Sequence, residues 1–123
     1  MVKKILFVDD SPVIKKIVQR SVETAGYSFL GASDGKEALF VLAKESDICL
    51  ILSDWNMPVM NGFEFLKAVK RNNSFKQIPV IMITTEAEKS NINKAIQAGA
   101  ANYLLKPFNP EDLLLKIRQC LGK

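Results

Sequence analysis

Five residues with chemically useful side chains come directly after short apolar segments of the sequence. They are Asp9, Asp10, Asp54, Thr84 and Lys106, and the intervals from Asp10 onward are 44, 30 and 22 residues. Carboxylates bind divalent cations, and lysine and threonine side chains donate hydrogen bonds to phosphoryl oxygens. A carboxylate can also be the nucleophile that forms an aspartyl phosphate. If the fold brings these residues together, they have the composition of a metal-dependent phosphoryl-transfer site.

The segments before these residues have the pattern of buried strands in a parallel sheet. Residues 5–8, 48–53 and 80–83 are almost continuously apolar, as strands covered on both faces are. Residues 102–105 are assigned to the last strand, and the less apolar residues 27–32 to an edge strand. The carboxyl ends of parallel strands lie at one edge of the sheet, where ligands bind in open α/β folds. The sequence therefore places the chemically useful residues at that edge.

Each predicted strand is followed by a segment with helical periodicity. Ser11-Pro12 and Asn109-Pro110 mark the starts of the first and last helices, since a capping side chain before proline favours a helix start. The inward positions of the first helix are Ile14, Ile17, Val18 and Val22. Strands alternating with helices predict an α/β fold, a five-stranded parallel sheet with helices on both faces. We expect one domain over residues 1–123, with no effector domain attached.

The fourth helix has the weakest apolar face. It is predicted from about Ala87 to Ala98, with Ile92, Ala95 and Ile96 pointing inward. Its other positions are mostly charged or polar. Thin packing makes this helix a candidate mobile element.

Composition and charge exclude several other classes of protein. The net charge of +4 comes from basic residues that are mostly dispersed, without an aromatic platform, so we expect no nucleic-acid binding. The chain has no histidine, and Cys49 and Cys120 belong to no metal-binding pattern, which argues against zinc and favours reduced, packed cysteines. The N-terminus resembles neither a signal peptide nor a membrane span. We expect a cytoplasmic protein that does not bind membranes.

Three carboxylates at one edge of a sheet require a compensating cation, because like charges repel. Asp9, Asp10 and Asp54 would form an all-oxygen site without histidine or thiolate. Such a site suits Mg²⁺, which accepts one or two carboxylates together with water and phosphate oxygens.

Several motifs extend these observations to most of the chain. They are Val8-Asp9-Asp10, Ser53-Asp54-Trp55-Asn56-Met57-Pro58, Asn61-Gly62, Thr84-Thr85-Glu86-Ala87, Ala98-Gly99-Ala100 and Tyr103-Leu104-Leu105-Lys106-Pro107-Phe108. Through them the sequence resembles the receiver domain of two-component response regulators, and more narrowly the CheY-like single-domain chemotaxis regulators. The resemblance implies a flavodoxin-like fold with strand order 2-1-3-4-5, which is a known property of the CheY-like fold and does not follow from the pattern of this sequence.

The resemblance also implies a role for each site residue. Asp54 would accept a phosphoryl group from a histidine kinase or a histidine-phosphotransfer domain. Asp10, Asp54 and the backbone carbonyl of Asn56 would ligate Mg²⁺, and Asp9 would act largely through water. Lys106 and Thr84 would bind the phosphoryl oxygens. The chain would then be a signalling switch that catalyses its own phosphorylation and dephosphorylation, and not an enzyme with a separate substrate.

The output of this switch is expected on the face formed by the fourth helix, fifth strand and fifth helix. Thr84 would move toward the phosphoryl group, and Tyr103 would turn inward. Lys89, Ile92, Tyr103 and Lys116 resemble contacts to a flagellar motor switch protein. A phosphatase is a further possible partner, and the chain is expected to be a monomer.

Other positions concern the rate of dephosphorylation and whether the chain belongs to the motor branch of the family. Asn56 and Glu86 resemble residues that tune dephosphorylation in fast self-hydrolysing regulators. Thr85 stands where the chemotaxis regulators have alanine, and Ser11-Pro12 resembles receivers outside the motor branch. A cis peptide bond is expected before Pro107.

The alternatives to a phosphorylated chemotaxis switch fall into different classes. One is a receiver in a phosphorelay or another non-motor pathway. An aspartyl-phosphate phosphatase is disfavoured because the Asp-x-Asp spacing and a cap domain are missing, and a binding module without phosphorylation because every site residue is present. Dinucleotide-binding and P-loop enzymes are excluded because their glycine motifs do not occur.

Overall fold

The computed structural model describes residues 2–85, 88 and 90–122, and in this part of the chain strands alternate with helices. The strands are β1 (Lys4–Val8), β2 (Ser28–Ala32), β3 (Ile48–Asp54), β4 (Val80–Thr85) and β5 (Asn102–Lys106). The helices are α1 (Pro12–Thr24), α2 (Gly35–Lys44), α3 (Gly62–Arg71), α4 (Asn91–Gln97) and α5 (Pro110–Leu121).

All neighbouring strands are parallel, and their order is β2-β1-β3-β4-β5. The predicted fold class, the strand order and the edge position of β2 are therefore confirmed. Asp54 pairs with Ile83, and Thr85 pairs with Lys106. This register brings the carboxyl ends of β3, β4 and β5 to the same level, so the sheet itself aligns the side chains that end these strands.

Two apolar clusters cover the two faces of the sheet, because successive residues of a strand point to opposite faces. Leu6, Ile51 and Met82 belong to the cluster packed against α2, α3 and α4. Phe7 and Leu52 belong to the cluster under α1 and α5, where Cys49 and Cys120 also pack, both half-buried. The central strands β1, β3 and β4 are buried over most of their length and support the site.

Two predicted inward positions are wrong. Ile17 is 43% exposed and Ile96 is 46% exposed. Val18 and Val22 form the buried face of α1, and Ala95 is the buried residue of α4. Ile17 precedes the buried Val18 in sequence, and Ile96 follows the buried Ala95. Because successive residues of a helix are rotated by about 100°, Ile17 and Ile96 lie at the edge of the buried face. The predicted start of the fourth helix, Ala87, lies outside the described residues, and the described helix begins at Asn91.

None of the helices within residues 2–85, 88 and 90–122 combines the length and the apolar composition that crossing a membrane requires.

Candidate functional site

The structure brings the three predicted carboxylates together at the carboxyl edge of the sheet. Asp9 and Asp10 follow β1, Asp54 ends β3, and one oxygen of each residue lies within 4.8 Å of the others. Asp9 is 1% exposed and Asp54 is 7% exposed, whereas Asp10 is exposed. Two buried acids beside an accessible one form a group of oxygen ligands, which is the composition a small divalent cation prefers.

Lys106 supplies positive charge to this cluster from the end of β5. Its Nζ lies 3.1 Å from Oδ1 of Asp54 and 3.5 Å from Oδ2 of Asp9. Although burial acts to lower it, the two carboxylates raise the pKa of Lys106 above its ordinary value of 10.5. The lysine therefore stays charged at neutral pH and neutralises part of the negative charge.

Burial has the larger effect on Asp54. It raises the pKa of this carboxyl above its ordinary value of 3.8, although the ion pair with Lys106 acts in the opposite direction. The two partners respond differently because the Asp54 side chain is more deeply buried, with 10% of its surface exposed against 24% for Lys106. An added cation would stabilise the ionised form of Asp54 and thus act in the same direction as Lys106.

The turn after β1 fixes the orientation of Asp9. Its Oδ1 accepts a hydrogen bond of 2.9 Å from the backbone N–H of Ser11. The Ser11 side chain in turn caps α1 by accepting from the backbone N–H of Ile14 at 3.4 Å. The Asp9 carboxylate is thus held between the start of α1 and Lys106.

The loop after Asp54 is fastened at both ends. The backbone N–H of Trp55 donates to Ile83 at 2.9 Å, and that of Gly62 donates back to the carbonyl of Trp55 at 2.8 Å. Asn61 and Glu64 form a reciprocal capping box at the start of α3. A Cβ at Gly62 would collide with the backbone carbonyl of Asp54. Only glycine lets α3 begin this close to the site.

Glu88 is a site residue that the sequence analysis missed. Its Oε1 accepts from the Thr85 hydroxyl at 3.0 Å, from the Thr85 N–H at 3.4 Å and from the buried Thr84 hydroxyl at 3.5 Å. Its Oε2 accepts a short hydrogen bond from Nδ2 of Asn56. The spacing Thr85-x-x-Glu88 is that of a capping box at a helix start, and this signal could have identified the residue.

The predicted output residues are brought together in part. Nζ of Lys116 lies 4.5 Å from the centre of the Tyr103 ring and donates to Asn102 at 3.2 Å. Ile92 is half-buried at the start of α4. Lys89 and Glu86 lie outside the described residues. The predicted cis bond between Lys106 and Pro107 is confirmed.

An open parallel α/β sheet of this order, with acids, a lysine and a threonine at its carboxyl edge, defines a doubly wound protein with its site beside the central strands. The chain belongs to the response regulator receiver domain family, whose model matches residues 5–118. It is thus a response regulator of two-component signalling.

Proteins named as chemotaxis regulators are among its relatives. The chain is 42% identical over 120 residues to the chemotaxis protein CheY1 of Helicobacter pylori, covering 97% of each chain. It is similar to the structure of the chemotaxis response regulator CheY4 of Vibrio cholerae, with a TM-score of 0.90, 42% identity and coverage of 98% and 99%. It also resembles the receiver domain of the sensor histidine kinase PA1611 of Pseudomonas aeruginosa, determined with a magnesium ion coordinated in the active site cleft, with a TM-score of 0.88, 25% identity and full coverage of both chains.

Proposed function

We propose that the chain is a phosphorylation-dependent switch in which Asp54 accepts a phosphoryl group. The observation that carries this proposal is the ion pair of 3.1 Å between Lys106 and a buried Asp54 at the end of a central strand. A carboxylate that is buried, partnered by a lysine and backed by two further acids has a cost in stability. A role in chemistry accounts for that cost better than a role in folding.

The proposed transfer is a displacement at phosphorus. A carboxylate oxygen of Asp54 forms the new O–P bond while the P–N bond to the imidazole of a phosphohistidine breaks, and the imidazole leaves with the electron pair. Lys106 and Thr84 donate hydrogen bonds to the phosphoryl oxygens. Positioning and charge neutralisation supply most of the catalysis in such transfers, so the chain promotes its own phosphorylation once a donor is bound.

The carboxylate cluster fits a magnesium ion. The described donors are all oxygens, their spacing of 4.8 Å or less suits a shared cation, and Lys106 alone does not balance the acids. Asp10, Asp54 and the backbone carbonyl of Asn56 would hold the ion, with Asp9 acting through water. When bound, the ion neutralises charge on the transferring phosphoryl group. The magnesium in the related receiver domain of PA1611 supports this assignment.

We place the switch in chemotaxis, with a histidine kinase or histidine-phosphotransfer domain as donor and a flagellar motor switch protein as output partner. The names of the relatives support this pathway. The contact between Tyr103 and Lys116 gives the output face an aromatic and cationic centre, and Ile92 adds apolar surface. Asn56 and Glu86 are proposed to set the rate of dephosphorylation, and Thr85 to limit the access of a phosphatase.

The test is whether phosphorylation changes partner binding. Acetyl phosphate with Mg²⁺ is expected to raise the affinity of the wild-type chain for a peptide from a flagellar motor switch protein about tenfold, corresponding to about 1.4 kcal/mol. The Asp54→Asn variant should not respond. Equal affinity with and without acetyl phosphate would contradict the motor role. In that case, phosphate exchange with a histidine-phosphotransfer domain would identify a phosphorelay instead.

A further inference from the structure

The Glu88 carboxylate bridges the end of β4 and the loop after β3. One oxygen accepts from Thr84 and Thr85 at the end of β4, and the other accepts from Asn56 in the loop after β3. Glu88 lies six residues after Met82 of the core strand and three residues before α4 begins at Asn91. A single side chain, three residues before α4, therefore contacts both the end of β4 and the loop after β3.

The donors held by Glu88 are groups that the proposed phosphoryl transfer needs. Thr84 is assigned to a phosphoryl oxygen, and the Asn56 side chain, whose Nδ2 donates to Glu88, is assigned to the rate of dephosphorylation. A threonine hydroxyl has a single proton and donates one hydrogen bond at a time. Thr84 thus cannot donate to Glu88 and to a phosphoryl oxygen together. The bond to Glu88 is long, at 3.5 Å, and is the one that must be given up.

Electrostatic repulsion also favours the release of Thr84 from Glu88. Both oxygens of the Glu88 side chain accept hydrogen bonds, as those of an ionised carboxylate do. The side chain is therefore anionic at neutral pH. A phosphoryl group carries about two negative charges at this pH and would repel a carboxylate on the same threonine.

We propose that Glu88 is a positioning residue that holds Thr84, Thr85 and Asn56 in the unphosphorylated arrangement and is displaced when Asp54 is phosphorylated. This inference rests on the proposed function of Asp54. Displacement frees Thr84 for the phosphoryl group and breaks the contacts of a residue that lies three positions before α4. Glu88 thereby opposes phosphorylation and couples it to the output face.

The variant Glu88→Gln tests this role because it keeps the size of the side chain and removes its charge. Beryllofluoride with Mg²⁺ is the probe, since it imitates a phosphoryl group without turnover. Its binding can be followed by the fluorescence of Trp55, the single tryptophan of the chain, which is adjacent to Asp54. Glu88→Gln is expected to bind beryllofluoride about fivefold more tightly than the wild type, since neutral hydrogen bonds are weaker than charge-assisted ones. Glu88→Ala should show a larger gain.

The matched control is Glu23→Gln, which makes the same change of charge on an exposed residue near the end of α1. It should bind beryllofluoride with wild-type affinity.

A spectroscopic readout separates positioning from a general effect on folding. The backbone N–H of Thr85 donates to Glu88, so its NMR resonance should shift on beryllofluoride binding in the wild type and shift less in Glu88→Ala. Wild-type or weaker binding of beryllofluoride by Glu88→Gln would overturn the role of Glu88 while leaving the proposed function intact. A wild-type chain that binds no beryllofluoride would overturn the proposed function, and this inference with it.

Discussion

The surroundings of Asp54 make its ionised form costly for the stability of the folded chain. Burial raises its pKa, and Lys106 at 3.1 Å compensates only in part. A buried carboxylate of this kind retains a store of unfavourable electrostatic energy that a bound cation can relieve. Lys106 offsets part of the negative charge of Asp54, whereas Asp9 adds repulsion.

The stability of the chain should therefore depend on the ionisation of Asp54. Its pKa is higher in the folded chain than in the unfolded chain, so the folded state binds this proton more tightly, and the free energy of unfolding falls as pH rises from about 3.8 through the folded pKa. With a chelator present, Asp54→Asn should be more stable than the wild type at pH 7. This advantage should shrink as the pH approaches 4.

Urea denaturation at several pH values measures this difference. Asp47→Asn, which changes an exposed aspartate at the other end of β3, is the control and should show no such gain at pH 7. If Asp54→Asn is less stable than the wild type at pH 7, the ion pair with Lys106 outweighs burial. The conclusion that burial has the larger effect on the pKa of Asp54 would then be wrong.

The positions of the acids and of Lys106 could be predicted from sequence because strand ends are visible as breaks in apolar segments. Their contact follows from topology, since all parallel strands end at one edge. Glu88 was not predicted, because its contacts depend on a side chain that reaches both the end of β4 and the loop after β3. Only the spacing Thr85-x-x-Glu88 carried any local signal.

At the scale of the elements, the start of α3 determines how rigidly the Asp54 loop is held. The capping box of Asn61 and Glu64 fixes the first turn of the helix, and Gly62 allows it to approach the Asp54 backbone. Val59, between them and Asp54, has a φ of 69°, a conformation that is costly for a β-branched residue. The loop thus combines a fixed end with local strain.

The close approach at Gly62 predicts the effect of a single methyl group. Gly62→Ala should lower the free energy of unfolding by about 2–3 kcal/mol, because the new Cβ meets backbone atoms of Asp54 and Trp55 that cannot rotate away. The variant should also bind Mg²⁺ more weakly, since the Asp54 strand end must move.

Chemical denaturation and a Mg²⁺ titration of Trp55 fluorescence check both effects. Gly31→Ala is the control, since its Cβ would meet only the flexible side chains of Phe29 and Lys15, and it should stay within about 1 kcal/mol of the wild type. Wild-type stability in Gly62→Ala would mean that α3 can move away from the site at little cost.

The elements were easier to predict than their buried faces. Strong caps at Ser11 and Asn109 identified the starts of α1 and α5 correctly. Ile17 and Ile96 were placed inward because they are apolar and near helical spacing, but each lies beside the residue that packs, and their exposure depends on where neighbouring helices lie. Periodicity in one sequence does not contain that information.

At the scale of the molecule, the sheet separates the edge proposed for phosphorylation from the face proposed for partner binding. Alternation of strands and helices predicts a parallel sheet but not the order of its strands, which came from the family resemblance. That order places β4 next to β3, which ends at Asp54, and β5 next to β4. Tyr103 lies in β5 and contacts Lys116 of α5, so the sheet connects the site to this pair of residues. The proposed displacement of Glu88, three residues before α4, is the second connection. Phosphorylation is thus expected to act on the output face by two routes.

The central claim is that Asp54 is the residue that carries the phosphoryl group, and the most direct measurement is chemical identification of that residue. After incubation with acetyl phosphate and Mg²⁺, borohydride reduces an aspartyl phosphate to homoserine, which mass spectrometry of peptides locates in the sequence. We expect homoserine at position 54 and unmodified aspartate at Asp9 and Asp10. Homoserine at either of those two positions, or its absence from position 54 in a chain that has incorporated phosphate, would contradict it.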